Sequence, residues 1–243
     1  MTVGEKERSQ SNLLSALRDD DFALIEPFLK KEEKDSSTLL YRPGDDVSQV
    51  YFPLGSSLVS YLVGNSDGRD VETVLVGREG AVGGIVSAGF LPAYCLIVVK
   101  FGGPFLKAPV SAIQAAKDQS TSFRRLFSRY ADCLMAQMFQ SSACNAIHTL
   151  EQRTAKWILA AMDRTGENVV PLTHEELAAL LGVGRSYISR IIQKLKADGI
   201  LETSRGALSV TNRDELEHRS CNCNESVKKH FEVVLRGVYP EAE

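Results

Sequence analysis

Apolar and polar positions change their period along the chain, and the changes mark its elements. Residues 11–34 carry Leu13, Leu14, Leu17, Phe22, Leu24, Ile25, Phe28 and Leu29 in a helical pattern that gives way near Lys34. Short period-two or continuous apolar runs follow at 38–41, 47–52, 57–63, 71–76, 81–86, 94–101 and 105–108. Turn residues such as Pro43-Gly44-Asp45, Asn65-Ser66-Asp67-Gly68 and Gly102-Gly103-Pro104 separate them. Many short strands with glycine punctuation predict an antiparallel β-roll or jelly roll. From Ser111 to Cys144 the period is helical again, with Phe123, Phe127, Tyr130, Leu134 and Met138 on a broad stripe. A stripe this wide packs on its own sheet or pairs with a second copy of the chain. A further helix is expected at 146–165, ending at Thr165-Gly166, with Trp157 in the core of the last domain.

The segment 173–199 has the sharpest pattern. Thr173 with Glu176 is a capping box, so a helix starts at His174. Leu177, Ala178, Leu180 and Leu181 give that helix one apolar face. Gly182-Val183-Gly184 then breaks it, because glycine takes the positive φ of a tight turn. In the second helix Ile188, Ile191, Ile192 and Leu195 recur at i, i+3, i+4, i+7. Its other face carries Arg185, Ser186, Tyr187, Ser189, Arg190, Gln193, Lys194 and Lys196. Two helices so spaced predict a helix-turn-helix. Ile200-Leu201-Glu202 and Ala207-Leu208-Ser209-Val210 flank a turn at Ser204-Arg205-Gly206 and fit a wing. A last helical stretch, capped by Thr211 to Asp214, runs through Leu216, Val227 and Phe231, and the tail after Tyr239 is expected to be loose. The fold class is therefore α+β, with a β-roll at 1–118, a long dimerisation helix at 119–145 and a winged helix-turn-helix domain at 146–243.

Charge sharpens this picture more than composition does. The 243 residues are 44% hydrophobic and 24% charged with a net charge of −3, as in an ordinary globular protein. Segment 185–206 nevertheless holds five basic residues against two acidic ones, the local excess a nucleic-acid face needs. The polar start resembles no signal peptide and no run reaches the length of a membrane span, so a cytoplasmic protein without membrane contact is expected.

Taken together, the chain resembles the Crp/Fnr superfamily of bacterial transcription regulators. The resemblance rests on Tyr41-Arg-Pro-Gly-Asp, Val50-Tyr-Phe-Pro, the run from Asp67-Gly-Arg to Val74-Leu-Val-Gly-Arg-Glu-Gly80, Glu151-Gln-Arg-Thr-Ala-Lys-Trp157 and the helix-turn-helix. It implies a DNA-binding regulator that reads a palindrome as a homodimer, not an enzyme. Arg185 and Arg190 would reach guanines or phosphates, with Ser186, Tyr187, Ser189 and Lys194 beside them. Thr173, His174 and, in the wing, Arg205 would grip the phosphate backbone. Many members carry glutamate and threonine where this chain has Ser186 and Tyr187, which implies a different base pair in the half-site, since glutamate accepts from cytosine N4. Double-stranded DNA and a second copy are the expected partners, with RNA polymerase and an unidentified small effector beyond them.

The resemblance places an effector pocket around Gly83, Gly84, Ile85, Val86, Tyr94 and Cys95. Cyclic-nucleotide members use a glutamate and an arginine there. The stretch 80–96 has neither, and no arginine occurs between Arg78 and Arg124, so control by cyclic AMP in the usual way is not expected. No histidine precedes His148 and no cysteine precedes Cys95, so neither a haem nor an iron–sulfur cluster is expected. Cys221-Asn-Cys223 with His218 and His230 sketches a metal site, yet packing is the reading taken, so no metal and no cofactor are expected; Cys95, Cys133 and Cys144 read as small buried hydrophobes. The competing function is a β-roll interaction module that works through protein contacts, such as RNA polymerase, without specific DNA readout.

Overall fold

The computed structural model describes residues 5–64, 70–84, 92–236 and 238. Three short helices, α1 (Glu5–Arg8), α2 (Asn12–Ser15) and α3 (Asp19–Ala23), and a 3-10 turn at Glu26–Phe28 lead into the strands. These are β1 (Lys30–Lys34), β2 (Leu39–Tyr41), β3 (Gln49–Pro53), β4 (Leu58–Gly64), β5 (Asp70–Val76), β6 (Leu96–Phe101) and β7 (Gly103–Pro109). They form two antiparallel sheets, ordered β1-β7-β3 and β2-β6-β4-β5. Alternation decides which layer each residue joins. Val50, Phe52, Leu106 and Ala108 point toward the N-terminal helices, and Tyr51 and Phe105 point between the sheets. This is the expected β-roll.

Two local expectations fail here. Residues 30–34 are a strand, where the helical pattern was expected to continue to Lys34. Lys-Lys-Glu-Glu-Lys suits the edge of a sheet, where charged side chains reach solvent and discourage further pairing. Glu32 bonds both Lys107 (2.6 Å) across the pair and Lys34 (2.9 Å). The run 81–86 is not a strand in its described part. It contributes one bridge, Val82 to Tyr51, before Gly83 and Gly84 turn away with φ of 88° and 47°; Ile85 and Val86 lie outside the described residues.

The helical region after β7 divides into α4 (Val110–Gln119) and α5 (Thr121–Ile147). Ser120 makes the break. Its backbone is extended, and its hydroxyl accepts from Phe123 N while donating to Asp21. Along α5, Phe123, Leu126, Phe127 and Tyr130 are fully buried against the N-terminal helices and the first sheet. Tyr130 also donates from its hydroxyl to the Ala81 carbonyl and accepts from the Ala81 amide, both at 3.0 Å. Helix α6 (Leu150–Thr165) starts on a Thr149/Gln152 capping box and ends at Gly166 with φ of 76°.

Beyond it lie β8 (Val169–Val170), α7 (His174–Leu180), α8 (Arg185–Ala197), β9 (Leu201–Ser204) and β10 (Ala207–Val210). The wing is a three-stranded sheet ordered β8-β10-β9, one strand more than expected. The single last helix is instead two, α9 (Arg213–Arg219) and α10 (Cys223–Arg236), broken at 220–222. Asn212 caps α9 by accepting from Glu215 N. Helix α10 packs along α5, with Phe231 edge-on to Tyr130 at 6.3 Å.

The winged domain rests on its own β-roll. Leu58, Leu75 and Phe101 join the core formed by α6, α7 and α8. Trp157 is 3% exposed, and its Nε1 donates to Glu72 Oε1 at 2.6 Å. It therefore fastens the two domains together, beyond its expected place in the smaller domain's core. Arg164, also buried, donates from Nε to Glu79 Oε1 (2.9 Å) and the Leu75 carbonyl (3.2 Å). Lys100 reaches Glu176 at 3.2 Å.

Glu72 gives this docking a pH dependence. The residue is only partly buried, yet both carboxyl oxygens bond buried donors, Ser60 Oγ (2.5 Å) and Trp157 Nε1. Burial raises its pKa above the ordinary carboxylate value, against the lowering effect of those two donors. The folded protein thus holds a proton that the unfolded chain has already released, and stability falls as pH rises from the unfolded carboxylate range through the raised value. Glu72→Gln keeps an acceptor for Trp157 and removes the charge. Thermal unfolding across that window is expected to show a smaller loss on alkalinisation for the variant than for the wild type. Equal slopes would contradict this assignment.

Candidate DNA-reading surface

The two central helices form for the reasons their sequence gives. Thr173 Oγ1 accepts from Glu176 N (3.2 Å) and Glu176 Oε2 accepts from Thr173 N (2.8 Å), the two halves of the capping box. Such a cap contributes about 1 kcal/mol. Helix α7 ends where Gly182 takes φ of 68° and Val183 N donates to the Ala178 carbonyl at 2.9 Å. Ile188, Ile192 and Leu195 then bury one face of α8 almost completely. Each such side chain contributes roughly 1.5–3 kcal/mol on burial, which fixes the rotation of α8 about its axis.

That rotation turns Arg185, Ser186, Tyr187, Arg190, Gln193 and Lys194 outward, all exposed. The exposed row begins at the first residue of the helix, the end that enters a major groove in helix-turn-helix proteins. Arg190 lies over the Tyr187 ring with its guanidinium carbon 4.9 Å from the centroid, so the pair shares one orientation. Arg185 makes only a loose contact with Glu175, 3.6 Å between two well-exposed side chains. A contact so exposed is worth little and yields readily to a phosphate or a base.

The remaining expected contacts are less free. Ser189 is half-buried, its hydroxyl 3.1 Å from His174 Nδ1, so it ties α8 to α7. His174 is held below the ordinary imidazole range by burial and by the nearby Arg185 charge. Lys194 is bound to Glu151 Oε2 at 2.8 Å, and Arg219 reaches the same carboxylate at 3.2 Å. Lys194 first, and Arg219 after it, hold Glu151 below the usual carboxylate range. Arg205 is exposed at the turn of the wing. A cleft of about 300 Å³ brings Thr173, His174, Glu175 and Arg185 together with Ser204 and Gly206 of the wing. The surface thus has an outward helix edge flanked by a wing and a helix start, with Glu175 as its acidic intruder.

The other expected sites fare differently. Of the effector-pocket residues, Ile85 and Val86 lie outside the described residues. Gly83 and Gly84 pack closely on the Gln49 carbonyl and Val110, and Cys95 is half-buried with its thiol pushed up by burial. Tyr94 is 86% exposed. A cleft of about 390 Å³ lies elsewhere, between Asn12, Arg78, Glu79 and the α10 residues Lys228, Phe231 and Glu232. Of the expected dimer stripe, Phe123, Phe127 and Tyr130 are spent inside their own chain and Leu134 is half-buried. Met138 is exposed, next to Met135 and Phe139 at 44% and 70% exposure.

The cysteines also regroup. Cys133 stays a buried hydrophobe, its thiol pushed up to about 12 by burial. Cys144 is fully buried as well, and it meets Cys221, Cys223 and His148, with all four ligand atoms within 4.8 Å of one another. The histidines expected nearby are elsewhere. His218 is exposed beside Glu215, and His230 is exposed on α10. The missed signal was Cys144-x-x-x-His148, the i, i+4 spacing that puts two ligands on one helical face.

Residues 152–219 match the family described as the Crp-like helix-turn-helix domain. No curated protein matches the chain. The fold is shared with solved regulators of low sequence identity. CLP of Xanthomonas campestris, described as a c-di-GMP responsive global regulator, is 15% identical with a TM-score of 0.64, over 79% of this chain and 99% of that one. FixK2 of Bradyrhizobium japonicum is 15% identical with a TM-score of 0.65, over 79% and 98%. A CRP-family transcriptional regulator of Thermus thermophilus is 17% identical with a TM-score of 0.66, over 78% and 96%.

Proposed function

We propose, for a chain that joins a Crp-like helix-turn-helix domain to the fold of the Crp/Fnr regulators, a specific way of binding DNA. In this reading the chain is a DNA-binding regulator that binds an imperfect palindrome as a homodimer. Each α8 enters a major groove, and the half-sites lie about one DNA turn apart. The observation that carries this is the outward row Arg185-Ser186-Tyr187-Arg190, set by the buried Ile188, Ile192 and Leu195 behind it. Arg185 and Arg190 read guanine O6 and N7 or hold adjacent phosphates. Lys194 exchanges Glu151 for a phosphate, and Thr173, His174 and Arg205 meet the backbone on either side. Ser189 supports the helix from within.

The dimer seam follows from what α5 leaves uncovered. Ser128, Asp132, Met135, Phe139 and Ser142 are exposed on that helix at alternating spacings of four and three, with exposed Met138 beside them, the spacing of two paired helices. Phe139→Asp is expected to give a monomer by light scattering, with stability little changed because the ring is already 70% exposed. Its affinity for a palindrome is expected to fall to that for a single half-site. A dimer that survives the change would place the seam elsewhere. The protein acts in the cytoplasm, and its effector is not cyclic AMP held by a glutamate and an arginine, which the 80–96 stretch lacks.

A further inference from the structure

Three thiols and one imidazole from two distant parts of the chain meet at the joint between the long helix and the winged domain. Cys144 lies in the last turn of α5, and His148 caps that helix with extended backbone (φ −91°, ψ 146°) just before α6 begins. Cys221 lies in the break between α9 and α10, and Cys223 is the first residue of α10. The sulfurs of Cys144 and Cys221 are 3.6 Å apart, and Cys223 Sγ is 3.5 Å from His148 Nδ1. All three cysteines are buried, 8% exposed or less, and they form a small core cluster of their own.

These spacings match one chemistry better than the others. A tetrahedral ion with bonds of about 2.3 Å to sulfur and about 2.0 Å to nitrogen holds its ligands roughly 3.5–3.8 Å apart. A disulfide requires about 2.05 Å between sulfurs. An iron–sulfur cluster places several irons and sulfides between its thiolates, so four ligand atoms within 4.8 Å leave it no room. Soft thiolates with one imidazole favour zinc among the common divalent ions. Gln140 Nε2 donates to Cys223 Sγ at 3.1 Å, the kind of outer contact that steadies a metal-bound thiolate.

We propose that Cys144, His148, Cys221 and Cys223 form a closed, four-ligand site for a single zinc-class divalent cation that bolts the α5–α6 joint to the base of α10. Binding leaves no ligand position for substrate, so the site is structural and not catalytic. The ion replaces the three thiol protons, which pass to solvent, and no electron moves. Since the winged domain follows His148 directly, an occupied site fixes the direction in which α6 leaves the long helix. The proposal is independent of which DNA sequence the protein reads.

The full chain, purified reduced and without chelator, is assayed for metal by mass spectrometry and by titration with cobalt(II). One zinc per chain is expected, and cobalt should give the intense visible bands of a tetrahedral thiolate site. Cys144→Ser, Cys223→Ser and the partly exposed His148→Ala should each lose stoichiometric binding, whereas Cys133→Ser should keep it. Gln140→Ala should weaken binding roughly 10–100-fold. Because a cysteine variant can fail to fold, thiol-reagent titration of the wild type is the second readout: three of the five free cysteines should be shielded by zinc and released by a chelator. Absence of metal with no cobalt bands, a Cys144–Cys221 disulfide in the native protein, or iron with acid-labile sulfide would each overturn the proposal.

Discussion

Arg185→Ala combined with Arg190→Ala is expected to remove sequence discrimination while leaving the fold intact. Both side chains are exposed and contribute little to the core, so unfolding should shift by less than about 0.5 kcal/mol. A bidentate arginine–guanine contact discriminates by about 1–3 kcal/mol, and two arginines in each of two half-sites multiply the effect. Anisotropy titration against a target duplex and a scrambled one separates the roles. A base-reading arginine lowers affinity for the target alone. A phosphate-binding arginine lowers both and reduces the salt slope by about one. Of the two, Arg190 is better ordered for base reading because Tyr187 backs it. If the double variant binds both duplexes as the wild type does, α8 is not the reader.

Trp157→Ala is expected to be the most destabilising single change in the winged domain. The indole is nearly fully buried, and a large aromatic cut to alanine in such a site costs about 3–5 kcal/mol. The loss has a second part, because Glu72 is left without the donor on its Oε1. The domains should then unfold in two steps instead of one, with the winged domain melting first. Trp157→Phe separates the terms, keeping most of the apolar contact and losing only the hydrogen bond. Differential scanning calorimetry of the two variants reads both. A single unshifted transition for the alanine variant would contradict the docked arrangement.

The parts of this molecule that were legible in the sequence share a cause. A capping box at Thr173, a glycine turn at Gly182 and isoleucines at helical spacing are local signals, and all three held in the structure. The wing and most strands were announced in the same way by turn residues and alternation. What escaped depended on contacts between distant residues. The charged β1 has no apolar period, and only its partner β7 makes it a strand. Ser120 breaks a long helical pattern because Asp21, 99 residues away, receives its hydroxyl. The apolar stripe of α5 was visible, but a stripe does not name its partner. Phe123, Phe127 and Tyr130 turned out to serve their own chain. Likewise Cys144 and Cys221, 77 residues apart, are brought together only by α10 lying along α5.

The docking of the winged domain has a functional consequence. Glu72, Glu79 and Lys100 belong to the β-roll and hold Trp157, Arg164 and Glu176 of the other domain. In the proposed dimer, any ligand that shifts these β-roll residues shifts the two α8 helices relative to each other. Spacing between recognition helices must match one DNA turn, so a small change at these contacts alters site affinity without touching a base-reading residue. Differential affinity of such a ligand for the two arrangements sets the size of the effect.

The central claim, a dimer that reads a palindrome through α8, is tested most directly by selection from random duplex DNA with the purified chain. Enrichment of an inverted repeat with guanines opposite Arg185 or Arg190, and half-sites about one turn apart, is the predicted result. Recovery of a single unrepeated half-site, or of no sequence above background, would contradict it.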